Sequence, residues 1–400
     1  MILGLKKENK LHAIMISYIA ISAEINSFKN ERVLDPAWAK KFPGALWMAV
    51  LAEKLRKRSI IVTTVDVALT HVKQNYWDAH QIGVVQHVDD SESEELIALG
   101  GTPLILTVFE SPLYINSFYE SLNFIAPKFK NRVLFAGALH LFNANGGENF
   151  SVRFPSYNPS EIIESVPWNS REFMVMVVNN KYILNSTYLN VRYPFDCLKW
   201  IKWKLKSYFD PSIIIFSRKM SNSQFQDKRL SAIHFFGNAG LLKLFGMGWE
   251  SLKNLPHSWK GMLNPVIQKL NPDYINWHEK KDIISKYKYA LCFENFSYSG
   301  YVTEKIIDCF VAGVIPIYIG APDIENFVPK DSFIDVRHYK SWEDLLDILN
   351  NITEEQASAM IDSGRKFLST DEGYLHSYNG FASFMESLIL KELNKSLIES

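Results

Sequence analysis

The sequence predicts an α/β protein in which two doubly wound halves face a central cleft. Short β-branched runs alternate with helical patterns along both halves of the 400 residues, which is typical of parallel βαβ units. No internal repeat and no long linker interrupts this alternation, but it thins between Gly147 and Pro167. We therefore predict one domain at 1–168, a second at 169–375 and a C-terminal amphipathic helix at 376–400.

Five strands and three helices are predicted in the amino-terminal half. The apolar run at 11–23 contains polar residues and is shorter than the roughly 20 residues that span a bilayer, so we interpret it as the first strand. The helix at 46–58 ends in cations that suit its dipole, and the helix at 91–99 starts with acidic residues and ends at two glycines. The other predicted elements are strands at 60–64, 82–88, 104–109 and 133–139 and a helix at 115–125.

The carboxyl-terminal half repeats the alternation. Gly313 stands where a helix C-cap glycine belongs, directly before a strand. Ser341 and Thr353 each begin the pattern of a capping box, with Asp344 and Gln356 three residues later. The predicted strands are 173–178, 290–293 and 314–319, and the predicted helices are 228–236, 279–288, 303–312 and 381–398.

Charge and cysteine content exclude several kinds of partner and location. The chain has 43 basic and 43 acidic side chains, so no overall field attracts it to nucleic acid, and we predict no nucleic-acid partner. Three cysteines in a chain of this length indicate a reducing compartment, which predicts a cytoplasmic protein.

Familiar cofactor and metal motifs are missing from the sequence. Gly246-Met-Gly248 lacks the third glycine of a dinucleotide fingerprint and does not follow a clear strand. The sequence contains no Asp-x-Asp and no Cys-x-x-Cys, and its ten histidines are scattered. We therefore predict no metal site and no obligatory cofactor.

One segment has the properties of a phosphate site. Asn295 follows a short apolar strand at 290–293, at the end of the strand where α/β sheets place ligand groups. Thr303 is a good N-cap, so Glu304 and Lys305 project from the first helical turn beside unpaired backbone N–H groups. Each residue also has an ordinary interpretation, because glutamate favours any first turn, lysine is common on surfaces and asparagine is common in turns.

The order of these residues resembles the signature of the α1,3/1,4-fucosyltransferases, glycosyltransferase family 10. Phe293-Glu-Asn295 is followed after five residues by Tyr301-Val-Thr-Glu-Lys305 and then by an Ala-Gly-Val-Ile-Pro strand. The resemblance runs from about 173 to 336, and Phe109-Glu-Ser-Pro112 resembles the acceptor-side motif of the family. It implies a bacterial-type inverting enzyme of the GT-B architecture, with two Rossmann-like domains, GDP-fucose as the donor substrate and no required divalent metal.

The resemblance also implies roles for individual residues. Glu110 would act as the base that accepts the proton of the acceptor hydroxyl, and Glu304 would contact the fucose hydroxyls and steady positive charge on the sugar ring. Cations and backbone donors would stabilise the departing diphosphate. The implied donor-binding residues are Arg229, Asn295, Tyr301, Thr303 and Lys305.

Several alternatives remain at this stage. Arg218 competes with Arg229 as the diphosphate arginine, because 182–227 resembles an insertion, and Phe296 replaces the usual Ser or Thr. The Lys- and Trp-rich segment 198–209 fits either peripheral membrane contact or ordinary packing. The acceptor would be an oligosaccharide or a lipid-linked glycan of the cell surface, for example of lipopolysaccharide. The competing functions are transfer from another sugar nucleotide and glycan binding by a decayed enzyme.

Overall fold

The computed structural model describes most of the chain. Some predicted features lie outside the described residues, namely Glu110, Arg218, the 198–209 segment, Phe296, most of the helix predicted at 115–125 and the second half of the strand predicted at 133–139. The described residues are 16–23, 25–87, 90–109, 122, 124–134, 147–164, 166–180, 226–249, 255, 257–295 and 297–398.

The first sheet has six parallel strands in the order β2-β1-β3-β4-β5-β6. Its central strands are buried on both faces, as in other parallel sheets covered by helices. The strands are β1 (Tyr18–Ile21), β2 (Ile61–Thr64), β3 (Ile82–His87), β4 (Thr102–Val108), β5 (Asn131–Leu134) and β6 (Glu148–Ser151). The described helices of this part are α1 (Pro36–Ala39), α2 (Leu46–Arg56), α3 (Val65–Lys73) and α4 (Ser91–Ala98).

The second sheet has five parallel strands in the order β11-β10-β9-β7-β8. Its strands are β7 (Glu172–Val177), β8 (Leu242–Phe245), β9 (Tyr287–Phe293), β10 (Ile315–Ile319) and β11 (Ile334–Asp335). The described helices that follow β7 in the chain are α5 (Gln226–Asn238), α6 (His257–Leu270), α7 (Lys280–Ile284), α8 (Glu304–Ala312), α9 (Trp342–Asn351), α10 (Glu354–Leu368), α11 (Asp371–Tyr374) and α12 (Tyr378–Ile398).

The predicted α/β class with two parallel sheets is confirmed, and so are two of its local signals. Gly313 ends α8 in the left-handed conformation, and the Thr353 and Gln356 side chains form a complete capping box. The domain bounds at 168 and 375 stay a prediction, although the two sheets separate between β6 and β7.

The predicted helix at 279–288 is wrong in its second half. The helix α7 ends at Ile284, and β9 begins at Tyr287. Tyr287 and Tyr289 pair with β7, and the Tyr289 hydroxyl donates a 2.7 Å hydrogen bond to the carbonyl of Leu349. Aromatic residues that pack on a pleated surface favour the strand over the helix.

The sequence also failed to predict several short elements. Strands β6 and β8 have only four residues each, too few for a clear alternation of polar and apolar residues. Helix α6 was missed because it contains Pro265, which normally marks a helix boundary.

The C-terminal helix returns to the first sheet. Phe381 of α12 is 1% exposed and meets Trp47 of α2 edge to face, with ring centroids 5.1 Å apart. Burial of a side chain of this size stabilises the fold by roughly 1.5–3 kcal/mol. Tyr298 and Tyr301, from the segment between β9 and α8, are buried in the same hydrophobic cluster. The second sheet is therefore joined to the first by two separate stretches of chain.

No helix among the described residues is both long enough and apolar enough to cross a lipid bilayer.

Candidate active site

The candidate site lies at the carboxyl ends of the second sheet. Its strand order reverses between β7 and β9, and a crevice for a ligand opens outside the strand ends at such a point. Asn179 and Asn180 follow β7, while Glu294 and Asn295 follow β9. The prediction that Asn295 stands at the end of a strand is confirmed.

A buried carboxylate organises this edge. Glu294 is 0% exposed, and its Oε1 accepts hydrogen bonds from the backbone N–H of Thr303 at 2.8 Å and from the Thr303 hydroxyl at 2.9 Å. Lys305 Nζ lies 3.0 Å from Glu294 Oε2 and 2.9 Å from Thr303 Oγ1. The Thr303 side chain also caps α8 by accepting from the N–H of Lys305. These three side chains form one network, which we call the Glu294 cluster.

Charge in the first turn of α8 is balanced. Burial lowers the pKa of Lys305, but the nearby charges of Glu294 and Glu304 outweigh it and hold that pKa well above its usual range. Burial raises the pKa of Glu304, but the charges of Lys305 and Lys280 outweigh it and lower that pKa overall. Both side chains are therefore ionised at neutral pH, and Glu304 Oε1 lies 3.6 Å from Lys305 Nζ.

Arg229 reaches the same strand end from α5. It is 6% exposed, and its Nη2 donates to the carbonyls of Phe293 and Glu294, both at 3.2 Å. The structure thus brings Arg229, Thr303, Glu304 and Lys305 to one edge next to Asn295. Their roles in donor binding stay a prediction.

Tyr301 occupies a different environment from the charged residues. It is 3% exposed, and its ring meets Phe154 at a centroid distance of 6.3 Å. Phe154 packs on the hydrophobic cluster of the first sheet, so Tyr301 ties the Glu294 cluster to the other side of the molecule. Its predicted contact with nucleotide or sugar stays a prediction.

Sequence reasoning missed the role of Glu294. Lys305 was expected to act as a cation beside a helix N-terminus, whereas the structure pairs it with this carboxylate. The available signal was the position of Glu294, a charged residue directly after an apolar strand that is buried on both faces.

The loop after β8 corrects another prediction. Gly246 directly follows this strand, although no strand was expected before Gly246-Met-Gly248. Gly246 has φ +135, and a Cβ there would lie 2.0 Å from the carbonyl oxygen of Val178. The side chains of Asn179 and Asn180 bond to Met247 N and Gly248 O, so both asparagines hold this loop beside the crevice.

Gly246→Ala should therefore destabilise the protein by about 3 kcal/mol, because the new side chain meets backbone in a conformation available mainly to glycine. Gly261→Ala is the matched control, since Gly261 lies inside α6 with nothing within 4 Å of its added Cβ. This control should gain about 0.5–1 kcal/mol of stability. Urea unfolding of both variants measures the difference, and equal stabilities would contradict the close approach at Gly246.

The facing edge of the first sheet is aromatic. Phe109 follows β4 and contacts His87, Phe154 and Phe381, with centroids 5.1, 5.9 and 5.5 Å away. The Thr107 hydroxyl oxygen lies 2.9 Å from Nδ1 of His87 and 3.2 Å from the carbonyl oxygen of Gln86. Burial lowers the pKa of His87 to about 4, so the ring is neutral at pH 7. Glu110 follows Phe109 in the chain and lies outside the described residues.

No cluster of three His, Cys, Asp or Glu side chains suited to a metal ion occurs among the described residues. The absence of a metal site stays a prediction for the whole chain.

Comparisons with known proteins support the fold and the family resemblance. Residues 257–360 match the model of the C-terminal domain of glycosyltransferase family 10 (fucosyltransferase). This range contains β9, the Glu294 cluster and β10. A glycosyltransferase from Rickettsia africae shares the fold, with a TM-score of 0.51 and 11% identity over 96% of this chain and 99% of that one.

Two curated relatives match part of the chain. The alpha-(1,3)-fucosyltransferase FucT of Helicobacter pylori is 35% identical over 119 residues, 30% of this chain and 23% of the relative. The human 4-galactosyl-N-acetylglucosaminide 3-alpha-L-fucosyltransferase 9 is 37% identical over 82 residues, 20% of this chain and 23% of the relative. The chain therefore spans less than a quarter of the length of either relative. Residues 257–360 are thus similar to glycosyltransferase family 10, which confirms the resemblance to the fucosyltransferases in this segment.

Proposed function

We propose that this protein is an inverting fucosyltransferase that moves L-fucose from GDP-fucose to a hydroxyl of a glycan. The observation that carries the proposal is the convergence of Arg229, Lys305 and the N-terminus of α8 at the reversal point of the second sheet. Two cations and a helix N-terminus at that position suit a nucleoside diphosphate.

Bond cleavage leaves negative charge on the diphosphate. Lys305 and Arg229 would stabilise that charge, because Glu294 holds the first and two carbonyls hold the second in fixed positions. Asn295 and Tyr301 would contact the nucleotide or the sugar. Glu304, kept ionised by two lysines, would contact the fucose hydroxyls and balance positive charge on the ring.

Transfer with inversion requires a base on the opposite face of the sugar. A bond forms between the acceptor oxygen and the anomeric carbon, the bond from that carbon to the phosphate oxygen breaks, and the hydroxyl proton passes to the base. Glu110 is the proposed base, because Phe109 before it stands at the carboxyl edge of the first sheet.

The acceptor is proposed as an oligosaccharide or lipid-linked glycan. O3 or O4 of GlcNAc or glucose is proposed as the attacked hydroxyl. The name of the human relative, a 4-galactosyl-N-acetylglucosaminide 3-alpha-L-fucosyltransferase, supports O3 of GlcNAc among these. A cytoplasmic location is proposed from the low number of cysteines. Of these, the described Cys292 and Cys309 are both buried and neither forms a disulfide. Peripheral membrane contact through 198–209 stays a prediction.

Calorimetric titration with GDP, GDP-fucose and UDP tests the donor. We expect the two guanosine nucleotides to bind at least about tenfold more tightly than UDP, a difference of roughly 1.4 kcal/mol. Incubation with GDP-fucose and a glycan array, followed by mass spectrometry, tests transfer and identifies the acceptor. Tighter binding of UDP than of the guanosine nucleotides would overturn the proposal that GDP-fucose is the donor. Glycan binding without added deoxyhexose would favour the alternative of a decayed enzyme that only binds glycans.

A further inference from the structure

A second buried ion pair lies one helical turn below the Glu294 cluster. Asp308 follows Glu304 by four residues on α8, so the two carboxylates share one face of the helix. Lys280 Nζ, at the start of α7, lies 2.6 Å from Asp308 Oδ2. The Lys280 and Asp308 side chains are only 10% and 5% exposed.

The ammonium group of Lys280 is held on more than one side. It lies 5.3 Å from the ring centroid of Trp277, which is itself 52% exposed. Burial lowers the pKa of Lys280, but the charges of Asp308 and Glu304 outweigh this effect and raise it. Lys280 is therefore a fixed positive charge that acts on Glu304 as well as on Asp308.

Stability alone is a poor explanation for this pair. Removing two charges from water is unfavourable, and apolar side chains of similar volume often stabilise a protein as well or better. Moreover, Asp308 Oδ1 is buried and has no hydrogen-bond partner among the residues that the structure describes. The burial of this pair is therefore energetically unfavourable, and the pair lies one helical turn from Glu304, a residue of the candidate site.

We propose that Lys280 and Asp308 form a positioning pair, which fixes the location of Glu304 for its contact with the sugar of the donor. Lys305 Nζ lies 3.6 Å from Glu304 Oε1, and Asp308, one turn after Glu304 on α8, holds Lys280 of α7 in a 2.6 Å ion pair that joins the two helices. This inference rests on the proposed function, because it assigns the pair to the fucose end of the donor and leaves the diphosphate to Lys305 and Arg229.

The test compares four variants with the unmodified protein. Lys280→Met breaks the pair, Lys280→Met/Asp308→Asn replaces it with two neutral groups, and Lys280→Arg retains the charge. Lys73→Met is the matched control, because Lys73 forms an equally short 2.6 Å pair with Glu95 on the surface, with side chains 51% and 48% exposed. Measurements are kcat with GDP-fucose and the array-selected acceptor, Kd for GDP, and Tm.

We expect Lys280→Met to lower kcat by about 10- to 100-fold, typical of a misplaced site residue, with Kd for GDP changed by less than about twofold. The neutral double variant should regain Tm but not kcat. If Lys280→Met does not fold, the double variant takes its place in the kinetic and GDP-binding measurements. Lys280→Arg should have a higher kcat than Lys280→Met. Lys73→Met should match the unmodified protein in kcat, in Kd for GDP and in Tm.

Recovery of both kcat and Tm in the double variant would show that the pair is only structural and would overturn the proposal. A parallel loss of GDP binding would overturn it as well, because the pair would then act on the diphosphate. An inactive unmodified protein would overturn the proposed function and this role with it. Unchanged kcat in all variants of an active protein would overturn the role of the pair alone.

Discussion

Replacing Lys305 with alanine is expected to reduce fucose transfer by about 10²- to 10³-fold, the usual effect of removing one preorganised group that stabilises a leaving oxyanion. The same change leaves the fully buried carboxylate of Glu294 without its cation, which should lower the free energy of unfolding by about 3 kcal/mol. Initial-rate kinetics and urea unfolding measure the two effects.

A double variant separates the effect on the rate of transfer from the effect on stability. Lys305→Met/Glu294→Gln removes both charges, so most of the lost stability should return while transfer stays slow. Lys57→Ala is a suitable surface control, since Lys57 pairs with Glu53 through a side chain that is 72% exposed. Full activity in Lys305→Ala would rule out a role for this lysine in stabilising the leaving group.

Acidification from pH 7.5 to pH 5 is expected to destabilise the protein by about 4 kcal/mol through two histidines. Burial lowers the pKa of His87 to about 4 and that of His376 to about 3, against 6.5 for each in the unfolded chain. The unfolded state therefore binds protons below pH 6.5 that the folded state does not bind. The stability is fully present above pH 6.5 and falls as the pH drops from 6.5 toward 4, by about 1.4 kcal/mol per pH unit and histidine.

Urea unfolding at pH 7.5, 6 and 5 checks this slope. His376 is 1% exposed and its Nδ1 lies 3.3 Å from the carbonyl oxygen of Phe154, so His376→Gln keeps a donor without the titration. In this variant, the free energy of unfolding should change between pH 7.5 and pH 5 by about half as much as in the unmodified protein. A free energy of unfolding that stays constant from pH 7.5 to pH 5 would show that both rings titrate in the folded protein as they do in the unfolded chain, and would contradict the lowered pKa values.

The fold was predictable because its signals are local. β-branched runs, the C-cap at Gly313 and the capping box at Thr353 each depend on a few adjacent residues, and all appear in the structure. The clearest local failure was α7, whose predicted helix extended to Lys288 and so included Tyr287, the first residue of β9. Pairing with β7 decides that stretch, and the partner strand is more than 100 residues away in the chain.

The candidate site was predictable in its location but not in its charge balance. The Thr303 cap and the strand end at Asn295 follow from the sequence, so Lys305 was placed at the correct edge. Its pairing with Glu294 joins residues 11 positions apart in the chain, across the segment between β9 and α8, which no short pattern encodes. The approach of Arg229 likewise required the packing of α5 on the second sheet, across a segment that resembles no family pattern.

The position of bound GDP tests the central claim most directly, through a crystal structure of the protein soaked with the nucleotide. We predict that the diphosphate lies at the carboxyl ends of β7 and β9, within hydrogen-bond distance of Lys305 Nζ and the Arg229 guanidinium. A nucleotide bound elsewhere, with solvent between those two side chains, would contradict the proposed donor site and the mechanism that depends on it.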